Sequence, residues 1–108
     1  HWKIEQRVFS MVIGIDKKEI ILKVKLDGRL DPVTSPQLEE KLKEELAGIV
    51  SLQFDFTGLE YISSAGLRVL LSASKRMKKQ GKMEIYHANE EVMEVFTITG
   101  FADILTIL

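Results

Sequence analysis

Apolar residues recur at two different spacings along the chain, every second residue in some segments and every three to four residues in others. The alternation of these two kinds of segment restricts the fold more than any other feature of the sequence. Residues 19–26 (EIILKVKL) carry apolar side chains at every second position, which predicts a strand with one buried face. After a polar stretch that contains two prolines, apolar residues recur at helical spacing at Leu38, Leu42, Leu46 and Ile49. A strand followed by an amphipathic helix is typical of an α/β domain.

The same two patterns continue to the end of the chain. A short apolar strand begins at Met11, and further strands are predicted over 50–56, 82–86 and 104–108. Helices are predicted to start at Thr34 or Ser35, to span Ser64–Lys79, and to run from Asn89 to Gly100. The order β-β-α-β-α-β-α-β predicts a single α/β domain in which helices form right-handed crossovers on a mixed, largely parallel sheet.

Turn and cap residues set the predicted element ends. Asp27-Gly28 and Thr57-Gly58 are each expected to end a strand, and Gly81 and Gly100 to end helices, Gly81 as a left-handed cap. The first helix begins with a Thr34–Gln37 capping box, or with Ser35 before Pro36 in the first helical position. The side chains expected to face inward include Ile20, Leu22, Val24 and Leu26, and in the last helix Val92, Val95, Phe96 and Thr99.

Composition removes several classes of function. The 108 residues carry a net charge of −1 and no cysteine, which excludes disulfide frameworks, thiolate zinc sites, thiol catalysis and general binding of nucleic acid. No apolar run approaches the roughly 20 residues that a membrane span needs. We expect a cytoplasmic domain over residues 11–108, with residues 1–10 as an added leader or an upstream extension before Met11.

Catalytic signatures are also missing, since the sequence holds no GxxxxGK[ST], GxGxxG, HExxH or GxSxG. His87 follows a strand without acid or nucleophile partners nearby in sequence, and Asp55 reads as a polar-face strand residue or a loop anchor. The basic group Lys75, Arg76, Lys78 and Lys79 complements the dipole at a helix end. No metal or cofactor site is therefore expected.

One segment combines reactive groups with accessible surroundings. In Tyr61–Arg68 (YISSAGLR), two hydroxyls stand at a helix N-terminus, and small residues beside them allow close approach by a partner. Ser63 and Ser64 either cap the exposed helix amides alone or also serve a partner protein. Local chemistry leaves both interpretations open.

Residues 55–71 (DFTGLEYISSAGLRVLL) resemble the signature of STAS domains, specifically of the bacterial anti-sigma factor antagonists. Residues 26–42 (LDGRLDPVTSPQLEEKL) resemble the first loop and helix of that family, and the similarity extends from Met11 to Leu108. The resemblance implies a small sheet covered by helices. Family members usually carry one further helix after the last strand, which we expect to be missing here.

The resemblance also implies a function. An unphosphorylated antagonist binds an anti-sigma factor that is also a serine kinase and thereby frees a sigma factor, until phosphorylation of a serine at the start of the second helix ends that binding. The family site often reads Asp-Ser-Ser-Gly. Aligned on Gly66-Leu67, the acceptor falls on Ser64, the acid is replaced by Ser63 and the second serine by Ala65. Ser63 is the second choice for the acceptor.

The resemblance further predicts a partner-binding set, in which Asp31 matches the family's acidic residue after the second strand. The set consists of Asp31, Thr34, Ser63, Ser64, Ala65, Gly66, Leu67 and Arg68. A phosphatase is a further possible partner, while direct nucleic-acid and membrane contacts are not expected, and a monomer and a weak dimer stay open. Two alternatives remain: a STAS module of a lipid-transport complex, stressosome or anion transporter without serine phosphorylation, and a small enzyme or receiver phosphorylated on Asp55.

Overall fold

A computed structural model describes the backbone of residues 3–8 and the whole of residues 11–108, which form a five-stranded sheet. Its strands lie in chain order: β1 (Lys3–Val8), β2 (Met11–Lys18), β3 (Ile21–Leu30), β4 (Ser51–Ile62) and β5 (Lys82–Tyr86). The pairs β1–β2 and β2–β3 are antiparallel, whereas β3–β4 and β4–β5 are parallel. The predicted mixed sheet is confirmed.

Three helices connect or follow the parallel strands: α1 (Ser35–Glu45), α2 (Ser64–Lys78) and α3 (Glu90–Thr99). Helix α1 joins β3 to β4, and α2 joins β4 to β5, as the alternating periods predict. The apolar residues predicted at helical spacing, Leu38 to Ile49, are buried, although α1 ends at Glu45 and Ile49 lies in the loop that follows. The inward residues of β3 and β4 are buried as well. No helix in the described part of the chain is long and apolar enough to cross a membrane.

Strands β3 and β4 both run further than predicted, because the glycines expected to turn the chain form an irregularity inside the sheet. The β3–β4 register shifts between Lys25 and Asp27 and again between Gly28 and Arg29. A β-carbon on Gly58 would overlap the carboxyl group of Asp27, so a larger residue there would require the Asp27 side chain to move. The two strands therefore continue past this point, to Leu30 and Ile62.

Two predicted helix ends are wrong in their details. The side chain of Thr34 makes no cap hydrogen bond to α1, so the Thr34–Gln37 capping box does not form, although Pro36 does lie in the first turn. Gly81 does not have a positive φ; instead, a β-carbon there would overlap the carbonyl oxygen of Val50. Gly100, by contrast, is the predicted left-handed cap, with a φ of 82°.

The two ends of the sheet also differ from the prediction. Residues 3–8 add the edge strand β1, which was not predicted because Gln6 interrupts the alternation of apolar and polar residues in its sequence. Residues 1, 2, 9 and 10 lie outside the described residues. At the other edge, a short 3-10 turn over Phe101–Asp103 precedes a single bridge between Ile85 and Ile107. The predicted strand over 104–108 is reduced to that one bridge, because Ile85 is the only residue of β5 that exchanges backbone hydrogen bonds with this segment.

Two side chains predicted to face inward are exposed. Ile20 precedes β3 in the turn after β2 and lies at the surface. Thr99 is in the last turn of α3, and its hydroxyl donates to the carbonyl oxygen of Val95 at 2.7 Å. A threonine near a helix end satisfies its hydroxyl in this way without burial.

Candidate functional site

The candidate site lies at the end of the sheet that is formed by the C-terminal ends of β3 and β4. Because these strands are parallel, their C-terminal ends meet at the same edge, with Leu30 paired to Ile62. The amide of Ser63 continues this pairing by donating to the carbonyl oxygen of Leu30 at 2.9 Å. The two segments that the sequence singled out, residues 31–34 and 63–68, are therefore neighbours in space.

The loop after β3 is folded around two polar side chains. The carboxylate of Asp31 accepts hydrogen bonds from the amides of Val33 (2.9 Å) and Thr34 (3.0 Å). The hydroxyl of Thr34 donates to the carbonyl oxygen of Arg29 at 2.7 Å and accepts from the Asp31 amide at 2.9 Å. These bonds fix the loop, and they explain why Thr34 is not available to cap α1.

Asp31 is held as a carboxylate by this environment. The hydrogen bond from the Thr34 amide lowers the pKa of the Asp31 carboxyl, and although partial burial acts against it, the Val33 amide, the Thr34 hydroxyl and the Arg29 guanidinium lower it further. Arg29 lies 3.9 Å from the Asp31 carboxylate and stacks over the ring of Tyr61 at 4.2 Å. Arg29 therefore connects the Asp31 carboxylate with Tyr61 at the end of β4.

At the start of α2, the two serines have different surroundings. Ser63 is the N-cap: its side-chain oxygen accepts from the amide of Gly66 at 3.3 Å, and it is only 8% exposed. Ser64 is the first residue of α2, is exposed, and makes no side-chain hydrogen bond with the described part of the chain. Its hydroxyl is therefore accessible at the N-terminal end of the helix.

Gly66 and Leu67 have a packing role under this surface. A β-carbon on Gly66 would lie 2.8 Å from Leu30 and 2.9 Å from Ile62, so glycine lets α2 approach the ends of both strands. Leu67 is buried in the core. Both residues hold the exposed Ser64 at its position.

The structure brings the eight predicted site residues together in two adjacent segments, and it divides them by exposure. Ser64 and Arg68 are exposed, Asp31 and Ala65 are half-buried, and the other four are buried. Sequence reasoning missed Arg29 and Tyr61, which join the two segments by the stacking contact. Their positions beside Asp31 and Ser63 in the two quoted motifs were the available signal.

Asp55, the alternative phosphorylation site, forms hydrogen bonds with a residue close to it in sequence. Its carboxylate accepts from the amide (2.9 Å) and hydroxyl (2.6 Å) of Thr57. Burial raises the pKa of the Asp55 carboxyl, but these two bonds, His87 and Lys25 together lower it below its ordinary value. Among the described residues, no three His, Asp or Glu side chains gather in a group that could hold a metal ion.

Comparison with known proteins places this arrangement in a family. The family model of the STAS domain matches residues 13–108. The chain belongs to the STAS domain family. The anti-sigma-B factor antagonist of Bacillus subtilis is 32% identical over 100 residues, which cover 90% of this chain and 92% of the relative.

Solved structures of anti-sigma factor antagonists share the fold. The crystal structure of an anti-sigma factor antagonist from Mycobacterium paratuberculosis has a TM-score of 0.82 at 20% identity, covering 91% of this chain and 85% of that protein. SpoIIAA in its unphosphorylated form gives a TM-score of 0.78 at 16% identity, covering 89% of this chain and 87% of that one. SpoIIAA of Bacillus in its phosphorylated form gives 0.70 at 15% identity, covering 89% and 90%. At these identities the likeness shows the fold.

Proposed function

We propose that this STAS protein is an anti-sigma factor antagonist, a binding module that is switched off by phosphorylation of Ser64. The observation that carries the proposal is the exposed hydroxyl of Ser64 at the start of α2, which has no structural task among the described residues. The Bacillus subtilis relative, named an anti-sigma-B factor antagonist, supports the class of partner. In its unphosphorylated form the chain binds an anti-sigma factor with serine kinase activity and so frees a sigma factor.

Geometry favours Ser64 over Ser63 as the acceptor. Phosphate transfer needs a hydroxyl that a kinase active site can approach. The Ser63 side chain is buried and already accepts the Gly66 amide, so its modification would remove the helix cap. Ser64 can be modified with no loss of a hydrogen bond inside the described protein.

Phosphorylation is expected to leave the domain folded. A phosphate adds a charge of about −1.5 to −2, and at the N-terminus of α2 it meets the positive end of the helix dipole, which favours it by ~0.3 to 1 kcal/mol. The Asp31 carboxylate lies on the neighbouring loop, but Arg29 stands beside it and offsets part of its charge. The switch therefore acts on the interface.

Binding responds much more strongly than folding, because the new charge would be buried against the partner. Desolvating a phosphate in a close interface costs several kcal/mol unless the partner pairs with it. A loss of ~3 kcal/mol already weakens binding about a hundredfold. A phosphatase that removes the phosphate would restore the binding form.

The partner surface that we propose is centred on Ser64. Exposed and half-buried residues, namely Ser64, Ala65, Arg68 and Asp31, make direct contacts. Thr34, Ser63, Gly66 and Leu67 are buried, and they shape the surface from below. A STAS module of another assembly would use the same fold, but it would not require an accessible Ser64.

The test is incubation of the purified chain with ATP and the anti-sigma factor kinase encoded in the same genome, followed by mass spectrometry of the products. We expect one phosphate on Ser64, none on Ser64→Ala, and continued modification of Ser64 in the matched variant Ser63→Ala. Phosphate on Ser63, or on Asp55 as an acyl phosphate that hydroxylamine removes, would contradict the proposal. No phosphate on any residue would favour the STAS module of another assembly.

A further inference from the structure

An apolar groove with an acidic rim lies beside the candidate site. It has a volume of about 240 Å³ and lies between the end of β4 and helix α3. Tyr61, Val95 and Ile98 give it an apolar surface, and three glutamates, Glu60, Glu91 and Glu94, line it as well. Ile98 is 75% exposed and Tyr61 is 38% exposed, so large apolar side chains face solvent here.

The groove has a fixed shape, because α3 is anchored to β4 at its start. Asn89 is the N-cap of α3: its side-chain oxygen accepts from the amide of Val92 at 2.8 Å. The amide group of the same side chain donates to the carbonyl oxygen of Leu59 at 3.0 Å. Buried Val92 and Phe96 hold the helix against the core, and Ile98 and Glu94 are left outward.

The carboxylates of the groove have no basic partner in the described part of the chain, although Glu91 lies in the first turn of α3, where the helix dipole offsets part of its charge. Glu60, Glu91 and Glu94 make no ion pair or hydrogen bond with the described residues, and no basic side chain lines the groove. An apolar surface bordered by unpaired negative charges is complementary to a surface that presents both apolar and basic side chains. An acidic partner surface would be repelled.

The groove is continuous with the surface around Ser64. Tyr61 lines the groove and also stacks with Arg29, which lies beside Asp31. Ile62 lines the groove too, and the next residue along the chain is Ser63, the cap of α2. A partner that covers Ser64 and extends along the end of β4 therefore meets Tyr61 and Ile62, which line the groove.

We infer that this groove is a second half of the antagonist's interface and receives a basic, apolar segment of the anti-sigma factor. The inference rests on the proposed function, and it assigns to the groove the part of binding that is independent of phosphorylation. Contacts at Ser64 respond to the phosphate, whereas contacts at the groove respond to salt, because charges at an exposed rim are screened. Affinity and switching are thus assigned to separate residues.

The experiment measures the affinity of the same anti-sigma factor for wild type and for Glu60→Lys/Glu94→Lys by isothermal titration calorimetry. Neither glutamate lies in the first turn of α3, so the helix dipole is not disturbed. We expect the lysine variant to bind at least tenfold more weakly than wild type. We also expect its affinity to fall less than that of wild type when the salt concentration is raised. The control Glu19→Lys/Glu44→Lys carries the same charge change on exposed residues just before β3 and at the C-terminal end of α1, outside the groove. It loses only the surface ion pair of Glu44 with Lys41, and we expect it to bind as wild type.

A second variant tests the apolar part of the groove. Ile98→Ser replaces an exposed apolar side chain with a small polar one and should leave folding unchanged, while binding weakens about tenfold or more because the apolar area that the partner covers is lost. Should Glu60→Lys/Glu94→Lys lose its circular dichroism spectrum, Glu60→Gln/Glu94→Gln is used, and we expect it to bind about threefold more weakly than wild type.

Three results would overturn the inference. Unchanged affinity in the charge and Ile98 variants would show that the groove is not covered, and tighter binding of the lysine variant would show an acidic partner surface. In both cases, Ser64→Asp would still lose binding, and the proposed function would stand. Failure of wild type to bind any anti-sigma factor of its genome would instead refute the proposed function, and the inference with it.

Discussion

The starts of α1 and α2 form a natural comparison, because both follow parallel strands and both place two hydroxyl side chains at the same sheet edge. At α1, Thr34 is fully buried and Ser35 is 2% exposed. At α2, Ser63 is buried and caps the helix, while Ser64 is exposed. Three of the four hydroxyls lie inside the protein, and one faces outward.

This difference teaches that a hydroxyl at a helix start is not by itself a regulatory site. The Thr34 hydroxyl connects the Arg29 carbonyl with the Asp31 amide, so it is committed to the loop. Ser63 is committed to the Gly66 amide. Of these four residues, only Ser64 combines exposure with the absence of a side-chain hydrogen bond in the described chain, which leaves its hydroxyl accessible for modification.

The largest stability change is expected at Thr34. Thr34→Val keeps the shape of the side chain but leaves the Arg29 carbonyl and the Asp31 amide without their partner, which costs about 2–4 kcal/mol in the free energy of unfolding. Urea denaturation measures this loss. In the control Thr106→Val, at an exposed threonine, we expect a change below ~0.5 kcal/mol; equal effects at both positions would show that the α1 start is not held in this way.

A smaller loss is expected at the cap of α2. Ser63→Ala removes the acceptor of the Gly66 amide and should lower the free energy of unfolding by about 1 kcal/mol. Aspartate is an equally good cap, so Ser63→Asp should stay within ~0.5 kcal/mol of wild type in thermal unfolding. If alanine were as stable as serine, Ser63 would not be the structural member of the pair.

The Asp31 carboxylate gives a pH-dependent contribution. Its pKa is lower in the folded protein than the ordinary 3.8, so its charge stabilises the fold above that pH and the stabilisation disappears as the pH falls through the folded value. Asp31→Asn should therefore be less stable near pH 7, by under ~1 kcal/mol, and should approach wild type below 3.8. Chemical denaturation across this range measures the difference, and a gap that widens in acid would contradict the assignment.

The smallest effect is expected at Ser64. Ser64→Ala removes an exposed hydroxyl without a partner, and we expect a change below ~0.5 kcal/mol in unfolding free energy. Measured beside Thr34→Val, it gives the sharpest contrast between the two helix starts. A loss of 1 kcal/mol or more would mean that Ser64 also has a structural task.

Much of the fold follows from local patterns, since the alternation of strand-like and helix-like periodicity predicted the helices, the mixed sheet and the buried stripe that begins in α1. The lengths of β3 and β4 were not predictable, because Asp27 and Gly58 form their irregularity only once the strands pair. The reduced strand pairing of residues 104–108 was also not predictable from the sequence. Its single bridge depends on which backbone groups of Ile85 remain available after β5 has paired with β4.

The position of the candidate site was predictable, but which serine caps α2 and which one is exposed was not. The motif placed Ser63 and Ser64 at a helix start, and either could cap it on local rules. Burial decides between them, and burial depends on how Gly66 lets α2 approach Leu30 and Ile62. The groove beside Tyr61 was missed, because Glu60 and Glu94 are distant in sequence and meet only when α3 packs against β4.

The most direct measurement of the central claim is the affinity of the anti-sigma factor for the chain phosphorylated on Ser64, compared with the unmodified chain. We predict that phosphorylation weakens binding about a hundredfold or more, while the circular dichroism spectrum stays unchanged and the melting temperature does not fall. Ser64→Ala should bind as the unmodified chain does, before and after incubation with kinase and ATP. Equal affinity of the phosphorylated and unmodified forms would contradict the account.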